Sequence, residues 1–288
     1  AFNERGALLF RGLDIDFAWQ DRLCRMLIGD ETPGDTEGRK ENHVSNKEDD
    51  GLAPYGRLMF HADMMWHEEP FQVLSLYAIT TEPGSATTSL TSTANAWQAL
   101  PEDLRQQVEG KHARHQTGQV YQRGGDDLAV PQRSVEVSTI KPIPHMHPAT
   151  GKPLPLLWVQ VTDFDLHRGD DLAMPQRSVE VSTIKPVPQI HPRTGTPLLY
   201  TSQQMTHNIV ELPDDESEAL LLKLFDHLYS PEMVYEHEWR DGDLLVFDNI
   251  TMQHARGNVE RDGPTRTLRK VIAPIPNIKA ETPRYERA

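Results

Sequence analysis

The chain has 288 residues, of which 37% are hydrophobic and 25% are charged, and its formal net charge is −14. This composition is ordinary for a globular protein, and the length allows a substantial core in one large domain or two smaller ones. The negative charge argues against a nucleic-acid partner, which needs a basic face, and against docking on anionic lipid. Cys24 is the only cysteine, which excludes an intrachain disulfide and a thiolate cluster for zinc or iron–sulfur.

Targeting signals are not apparent. No apolar run is long enough to span a membrane, and AFNERGALLFRG (1–12) lacks the basic beginning and long apolar core of a secretion signal. We therefore expect a cytoplasmic protein with no membrane partner. Twenty-two prolines and 18 glycines indicate many turns and few long helices.

The first half of the chain contains apolar runs joined by polar connections. Three runs have the character of buried strands, namely ALLFRG (7–12), RLMFHADMMW (57–66) and FQVLSLYAIT (71–80). Two runs predict helices that stop at a glycine, namely FAWQDRLCRMLIG (17–29) and ANAWQALPEDLRQQVEG (94–110). The polar segment 30–56 predicts a flexible loop, which would suit a lid.

A tract of 30 residues occurs twice, at 125–154 and 169–198, with 24 identities and a period of 44 residues. A solenoid would need several such units. The second copy continues naturally into LLYTSQQMTHNIVELP, so we interpret residues 125–168 as a tandem-duplicated insertion in one domain, 1–288. An assembly or sequencing artefact is the alternative. VEVSTIKP in each copy predicts a strand and HPxTG a turn, which makes His147 and His191 turn residues.

The second half ends in one clear helix and three strand-like runs. PDDESEALLLKLFDHLYS (213–230) has one apolar face, and Asp215 and Glu218 suit a capped start. MVYEHEW, DLLVFDN and TLRKVIAP follow as strands. The chain is therefore mainly β with a few helices, and it lacks the strand–helix alternation of a doubly wound fold.

Two histidines and one acid form a candidate metal site. FHADMMW (60–66) puts His61 and Asp63 one residue apart in an apolar run, where unpaired polar groups are costly. If both lie on one strand, their side chains point to the same face. His254 follows the strand DLLVFDN and would complete two histidines and one carboxylate, the donor set of non-heme Fe(II) oxygenases. The chain has 13 histidines, so His-x-Asp alone also fits a chance pairing.

TRTLRKVIAP (265–274) adds a cationic strand. On it, Arg266, Leu268 and Lys270 share one face and Arg269 points the other way. A guanidinium binds a carboxylate through two parallel hydrogen bonds. Arg266 follows His254 by 12 residues, which suits a carboxylate-bearing cosubstrate beside the metal. Surface cations on an edge strand are the alternative for these residues taken alone.

Four stretches together resemble the taurine and chlorophenoxyacetate (TauD/TfdA) dioxygenases over nearly the whole chain. They are FHADMMW, GSATTSLTSTANAWQALPEDL (84–104), EWRDGDLLVFDNITMQH (238–254) and TRTLRK. The resemblance implies a double-stranded β-helix (jelly roll, cupin-like) that uses Fe(II), 2-oxoglutarate and O2. It also supports the insertion, because 193 residues separate His61 from His254, and the 149 left without the 44-residue unit are close to the family's usual separation.

The resemblance also assigns roles. It implies that His61, Asp63 and His254 are the iron ligands and that Arg266 and Thr88 hold the distal carboxylate of 2-oxoglutarate. Lys270 stands where relatives often carry an arginine that contacts an anionic substrate, and a lysine lacks the guanidinium fork. Residues 85–88 read Ser-Ala-Thr-Thr where the family usually has Gly-Gly-Asp-Thr. The retained aspartate ligand argues against a halogenase.

Other expectations are less specific. Met65 and Trp66 would line a substrate pocket or pack in the core. The resemblance implies a small-molecule substrate, oxidation of one of its C–H bonds with release of succinate and CO2, and a dimer or tetramer. Two alternatives stay open, which are a metal-binding jelly roll without oxygenase activity and an enzyme impaired by the duplication. The pair of Arg266 and Thr88 distinguishes an oxygenase from the first alternative, since a plain metal-binding protein needs no residues that hold 2-oxoglutarate.

Overall fold

A computed structural model describes most of the chain outside the duplicated tract. The described residues are 1–30, 41–49, 51–54, 56–67, 69–116, 119–121, 157–159, 182–260 and 262–274. The whole first copy of the repeat, with His147, lies outside them, so the insertion of 125–168 stays a prediction. None of the helices in the described ranges is long and apolar enough to cross a membrane.

Two antiparallel sheets face each other and form the body of the fold. In spatial order, the larger sheet contains β1 (Ala7–Phe10), β14 (Leu244–Asp248), β4 (Val73–Thr81), β16 (Arg266–Ala273) and β2 (Asn42–Ser45). The smaller sheet contains β13 (Val234–His237), β5 (Thr88–Ser92), β15 (Met252–Val259) and β3 (Gly56–His61). Neighbours in each sheet come from distant parts of the sequence, as a jelly roll requires.

The main core lies between these sheets. Because side chains alternate along a strand, each sheet turns one apolar face inward. Leu74, Leu76 and Phe247 of the larger sheet pack in one cluster with Leu90 and Met252 of the smaller sheet. The same cluster includes Met64, the residue after the candidate metal ligand Asp63, and the Phe247 ring centroid lies 5.1 Å from that of His254.

The outer face of the larger sheet is covered by α2 (Phe17–Leu27), which follows the short α1 (Phe2–Arg5). Asp16 caps α2 by accepting a hydrogen bond from the Trp19 amide. Cys24 of this helix is fully buried against the sheet. Arg269 points to the same side and donates to the Gln20 side chain, as the predicted alternation of β16 requires.

A third sheet carries the remaining helices. It consists of β12 (Thr206–Ile209), β6 (Lys111–Gln116) and β9 (Ser182–Val187). Short antiparallel pairs join β7 (Gln119–Tyr121) to β8 (Leu157–Val159) and β10 (Gln189–Ile190) to β11 (Pro197–Leu198). One helix was expected over 94–110, but the chain forms α3 (Thr93–Gln98) and α4 (Glu102–Val108), because Pro101 interrupts the first helix.

Three further predictions from the sequence can be compared with the structure. The clear helix is α5 (Asp214–Leu228), but Pro213 precedes it and no side chain caps its start, so the expected capping role of Asp215 and Glu218 is wrong. The segment expected to be a loop, 30–56, contains strand β2, which pairs with β16. The second copy of the repeat supplies β9 and, at 191–195, the predicted turn between β10 and β11.

Candidate metal centre

The two candidate histidines meet across neighbouring strands. His61 is the last residue of β3 and is paired in register with His254 of β15. Their ring centroids are 4.2 Å apart. Asp63 was expected on the same strand as His61, but β3 ends at His61 and Asp63 lies in the turn that follows. The three side chains therefore converge through cross-strand register and a turn, rather than through alternation along one strand.

The donor atoms are arranged around one point. His61, Asp63 and His254 each offer one ligand atom, and these atoms lie within 4.8 Å of one another. Asp63 Oδ1 is 3.2 Å from His61 Nε2 and 3.8 Å from His254 Nε2. His61 Nδ1 lies 2.7 Å from the Met59 carbonyl oxygen, so it carries the proton and leaves the Nε2 lone pair facing the centre. Two imidazoles and one carboxylate, mostly shielded from solvent, fit Fe(II).

Asn249 fixes the turn that carries the carboxylate. The Asp63 amide donates to Asn249 Oδ1 at 2.9 Å, and Asn249 Nδ2 donates to the Asp63 carbonyl at 2.8 Å. The next residue, Met64, has φ of +57°, a left-handed conformation that is costly for a side chain of this size. The reciprocal bonds from Asn249 compensate for that cost. Asn249 directly follows the apolar strand β14, and a polar residue at the end of a buried strand is the signal that the sequence offers for this role.

The protonation states suit a metal site. Burial alone would raise the pKa of the Asp63 carboxyl, but Lys270, His61 and His254 together hold it well below its usual range. Burial, assisted by the neighbouring His61, holds the pKa of His254 well below its ordinary value. The carboxylate is therefore ionised and the His254 imidazole neutral near pH 7, which are the forms that bind a metal.

Arg266 forms a buried polar cluster with Thr88 and Trp239. Arg266 Nη2 and Trp239 Nε1 each donate to Thr88 Oγ1 at 3.0 Å, and Arg266 Nε donates to the Ala86 carbonyl at 2.9 Å. Arg266 is only 3% exposed, burial lowers the pKa of its guanidinium, and within the described ranges it forms no salt bridge with a carboxylate. Because Thr88 Oγ1 accepts twice, its own proton remains for a ligand. The cluster is suited to an anion.

The remaining predicted residues lie nearby in different settings. Lys270 Nζ is 2.5 Å from Asp63 Oδ2, so its ammonium is engaged by a candidate metal ligand. Met65 is fully buried and packs with Leu198 and Tyr200, which makes it a core residue in this structure. Trp66 is half-buried at the edge of the same cluster.

The sequence did not predict a buried histidine–aspartate pair next to the turn that leads into β15. His191 Nε2 donates to Asp248 Oδ2 at 3.1 Å, and both side chains are buried. His191 Nδ1 accepts hydrogen bonds from the Arg193 and Thr194 amides, so both ring nitrogens have partners. Asp248 Oδ1 in turn accepts the amides of the turn that leads into β15. His191 is a turn residue, as predicted, but its ring also supports the segment before His254.

The fold and this donor set define a jelly-roll protein with a two-histidine, one-carboxylate metal centre. The chain belongs to the taurine catabolism dioxygenase TauD, TfdA family, which it matches over residues 1–272. Family membership confirms the resemblance that the sequence indicated.

Two curated relatives illustrate the family. Pentalenolactone F synthase of Streptomyces avermitilis is 27% identical over 216 residues, which cover 74% of this chain. An alpha-ketoglutarate-dependent 2,4-dichlorophenoxyacetate dioxygenase of Cupriavidus pinatubonensis is 24% identical over 217 residues, or 75% of this chain. The matched region spans 60% of the length of each relative.

Solved structures show the same fold. AAD-2 in complex with Mn(II) and N-oxalylglycine has a TM-score of 0.61 and 21% identity, covering 94% of this chain and 82% of its own. A taurine dioxygenase from Burkholderia xenovorans has a TM-score of 0.58 and 20% identity, covering 93% and 76%. The predicted jelly roll, mainly β with flanking helices, is confirmed.

Proposed function

We propose that this chain is an Fe(II)- and 2-oxoglutarate-dependent dioxygenase acting on a small organic molecule. The reaction would combine substrate R–H, 2-oxoglutarate and O2 into R–OH, succinate and CO2. One observation carries the proposal, namely the buried guanidinium of Arg266 with no carboxylate partner in the described ranges, set beside a metal-competent triad. Arg266 donates to Thr88, and Thr88 is paired across the sheet with Arg256 of β15. Arg256 follows the candidate ligand His254 by two residues, which places the cluster near the metal centre.

The chain's own residues would divide the work. His61 Nε2, Asp63 Oδ1 and His254 Nε2 would hold Fe(II), which when bound supplies chelation of the 2-oxo acid and activation of O2. Arg266 and Thr88 would bind the far carboxylate of 2-oxoglutarate and so orient the cosubstrate. The apolar layer between the sheets would keep water away from the reacting groups. No side chain needs to act as a general base.

The substrate, assembly and location are further parts of the proposal. One relative is named for 2,4-dichlorophenoxyacetate, a small carboxylate, and we propose a small organic molecule of comparable size for this chain. We also propose a cytoplasmic homodimer or homotetramer. Size-exclusion chromatography with light scattering tests the assembly, and a monomeric mass at working concentration would contradict it.

Succinate formation tests the proposed activity. We expect Fe(II)- and O2-dependent release of succinate from 2-oxoglutarate, slow without substrate and faster with a true one. His61→Ala should abolish it by removing an iron ligand. His112→Ala is a matched control, since that histidine is exposed on β6 and pairs with Glu211. Equal succinate release by His61→Ala and the unmodified protein would contradict the proposal.

A further inference from the structure

The two oxygens of Asp63 contact different groups. Oδ1 faces the imidazoles, 3.2 Å from His61 Nε2 and 3.8 Å from His254 Nε2. Oδ2 faces away from this point and lies 2.5 Å from Lys270 Nζ. The side chains of Asp63 and Lys270 are 16% and 24% exposed, so solvent screens this ion pair only partly. The carboxylate therefore has one oxygen directed to the centre and one already bound.

The position of Lys270 on β16 explains this contact. Arg266 and Lys270 lie on the same inward face, four residues apart, which separates them by about 13 Å along the strand. Arg266 reaches Thr88 at one end, while Lys270 reaches the turn that carries Asp63 at the other. The two cations therefore serve different parts of the centre. An anchor for a substrate anion would need a free ammonium, whereas Lys270 Nζ is engaged by Asp63.

We propose that Lys270 is a positioning residue that binds Oδ2 of Asp63 and makes the carboxylate a one-oxygen metal ligand through Oδ1. This inference rests on the metal centre of the proposed function. A carboxylate can bind a cation with one oxygen or both. With Oδ2 held by the ammonium, the position that a second oxygen would take stays open for water or a cosubstrate.

The charge of the ammonium has a consequence for metal affinity. A cation next to a ligand carboxylate repels a divalent metal, and this repulsion is weakly screened in a shielded site. Replacing Lys270 by a neutral residue should therefore tighten metal binding, because repulsion is lost and Oδ2 becomes available. A substrate anchor with no role at Asp63 would leave the metal complex unchanged.

The test uses Co(II) affinity by calorimetry and Mn(II) water-proton relaxation, which reports the number of metal-bound waters. For Lys270→Met we expect Co(II) binding about tenfold tighter and the loss of about one bound water. Lys270→Arg keeps a cationic donor to Oδ2 and should resemble the unmodified protein. Lys223→Met is the matched control, because Lys223 is exposed on α5. If Lys270→Met does not fold, Lys270→Gln also removes the charge and should tighten Co(II) binding in the same direction.

Two results would overturn the inference, and they differ in what else they affect. If Lys270→Met binds Co(II) within twofold of the unmodified protein and keeps its bound waters, the positioning role is wrong while the metal centre stands. If the unmodified protein binds Co(II) no more tightly than His61→Ala, the metal centre itself is wrong, and the proposed function fails with it.

Discussion

At the scale of single residues, the candidate centre depends on a few side chains with defined hydrogen bonds. In the proposed function, Arg266 would provide the specificity for a dicarboxylate, because its buried guanidinium donates to a hydroxyl and a carbonyl rather than to a carboxylate in the described part of the chain. Leaving such a charge buried is unfavourable unless an anion binds there. In the proposed function, a cosubstrate carboxylate that binds there would offset this cost, so Arg266 and Thr88 should contribute strongly to cosubstrate affinity.

Substitution of Arg266 tests this argument. Arg266→Gln removes the charge and should weaken binding of N-oxalylglycine to the Mn(II)-loaded protein by about 10- to 100-fold, since hydrogen bonds to charged groups contribute about 1.5–3 kcal/mol. Calorimetric titration measures the affinity. Arg22→Gln, an exposed arginine on α2, is the control and should not change it. Unchanged affinity in Arg266→Gln would show that the carboxylate binds elsewhere.

At the scale of elements, the sequence predicts periodic structure well and long-range register poorly. Helices α2 and α5 and strands β1, β4 and β14 follow from apolar spacing. The pairing of His61 with His254 depends on residues 193 positions apart, and no local pattern contains that information. The turn at Asp63 was missed because apolar residues continue through Met65, and the bonds from Asn249 that form the turn are tertiary.

His191 lies between β10 and β11 and binds Asp248, which precedes the strand of His254, so its substitution tests which copy of the repeat occupies this place. His191→Ala removes a buried donor to Asp248 and should lower the free energy of unfolding by about 1–3 kcal/mol. His147→Ala changes the equivalent residue of the first copy and should leave stability unchanged, because we infer that the second copy occupies this place in the fold. Urea denaturation compares the two variants. Equal losses, or a larger loss for His147→Ala, would reverse the assignment.

Two neighbouring leucines of helix α5 test how this helix packs on the third sheet. Leu221 is fully buried between this helix and the third sheet, whereas its neighbour Leu222 is 36% exposed. Leu221→Ala should destabilise the protein by about 2–5 kcal/mol through lost burial and a cavity. Leu222→Ala should cost well under half as much. Similar values for the two variants in chemical denaturation would mean that the helix does not pack on the face described.

At the scale of the whole molecule, the described residues form a complete two-sheet body without the first copy of the repeat. Deleting 125–168 joins Gly124 to Gly169 and removes β8, whose only described pairing is three residues with β7. We expect the shortened protein to fold and to gain at most about 1 kcal/mol from a shorter connection between β6 and β9. Thermal unfolding and succinate release would both be measured, and loss of folding and activity together would show that the insertion interpretation is wrong.

An anaerobic titration of the metal-free protein with Fe(II) and then 2-oxoglutarate tests the oxygenase assignment directly. We expect the weak visible charge-transfer absorption of a 2-oxo acid chelated to Fe(II). His61→Ala should abolish this absorption, and Arg266→Gln should need more 2-oxoglutarate to reach it. Absence of this absorption in a folded, iron-loaded protein at saturating 2-oxoglutarate would contradict the oxygenase assignment and favour a jelly-roll metal binder instead.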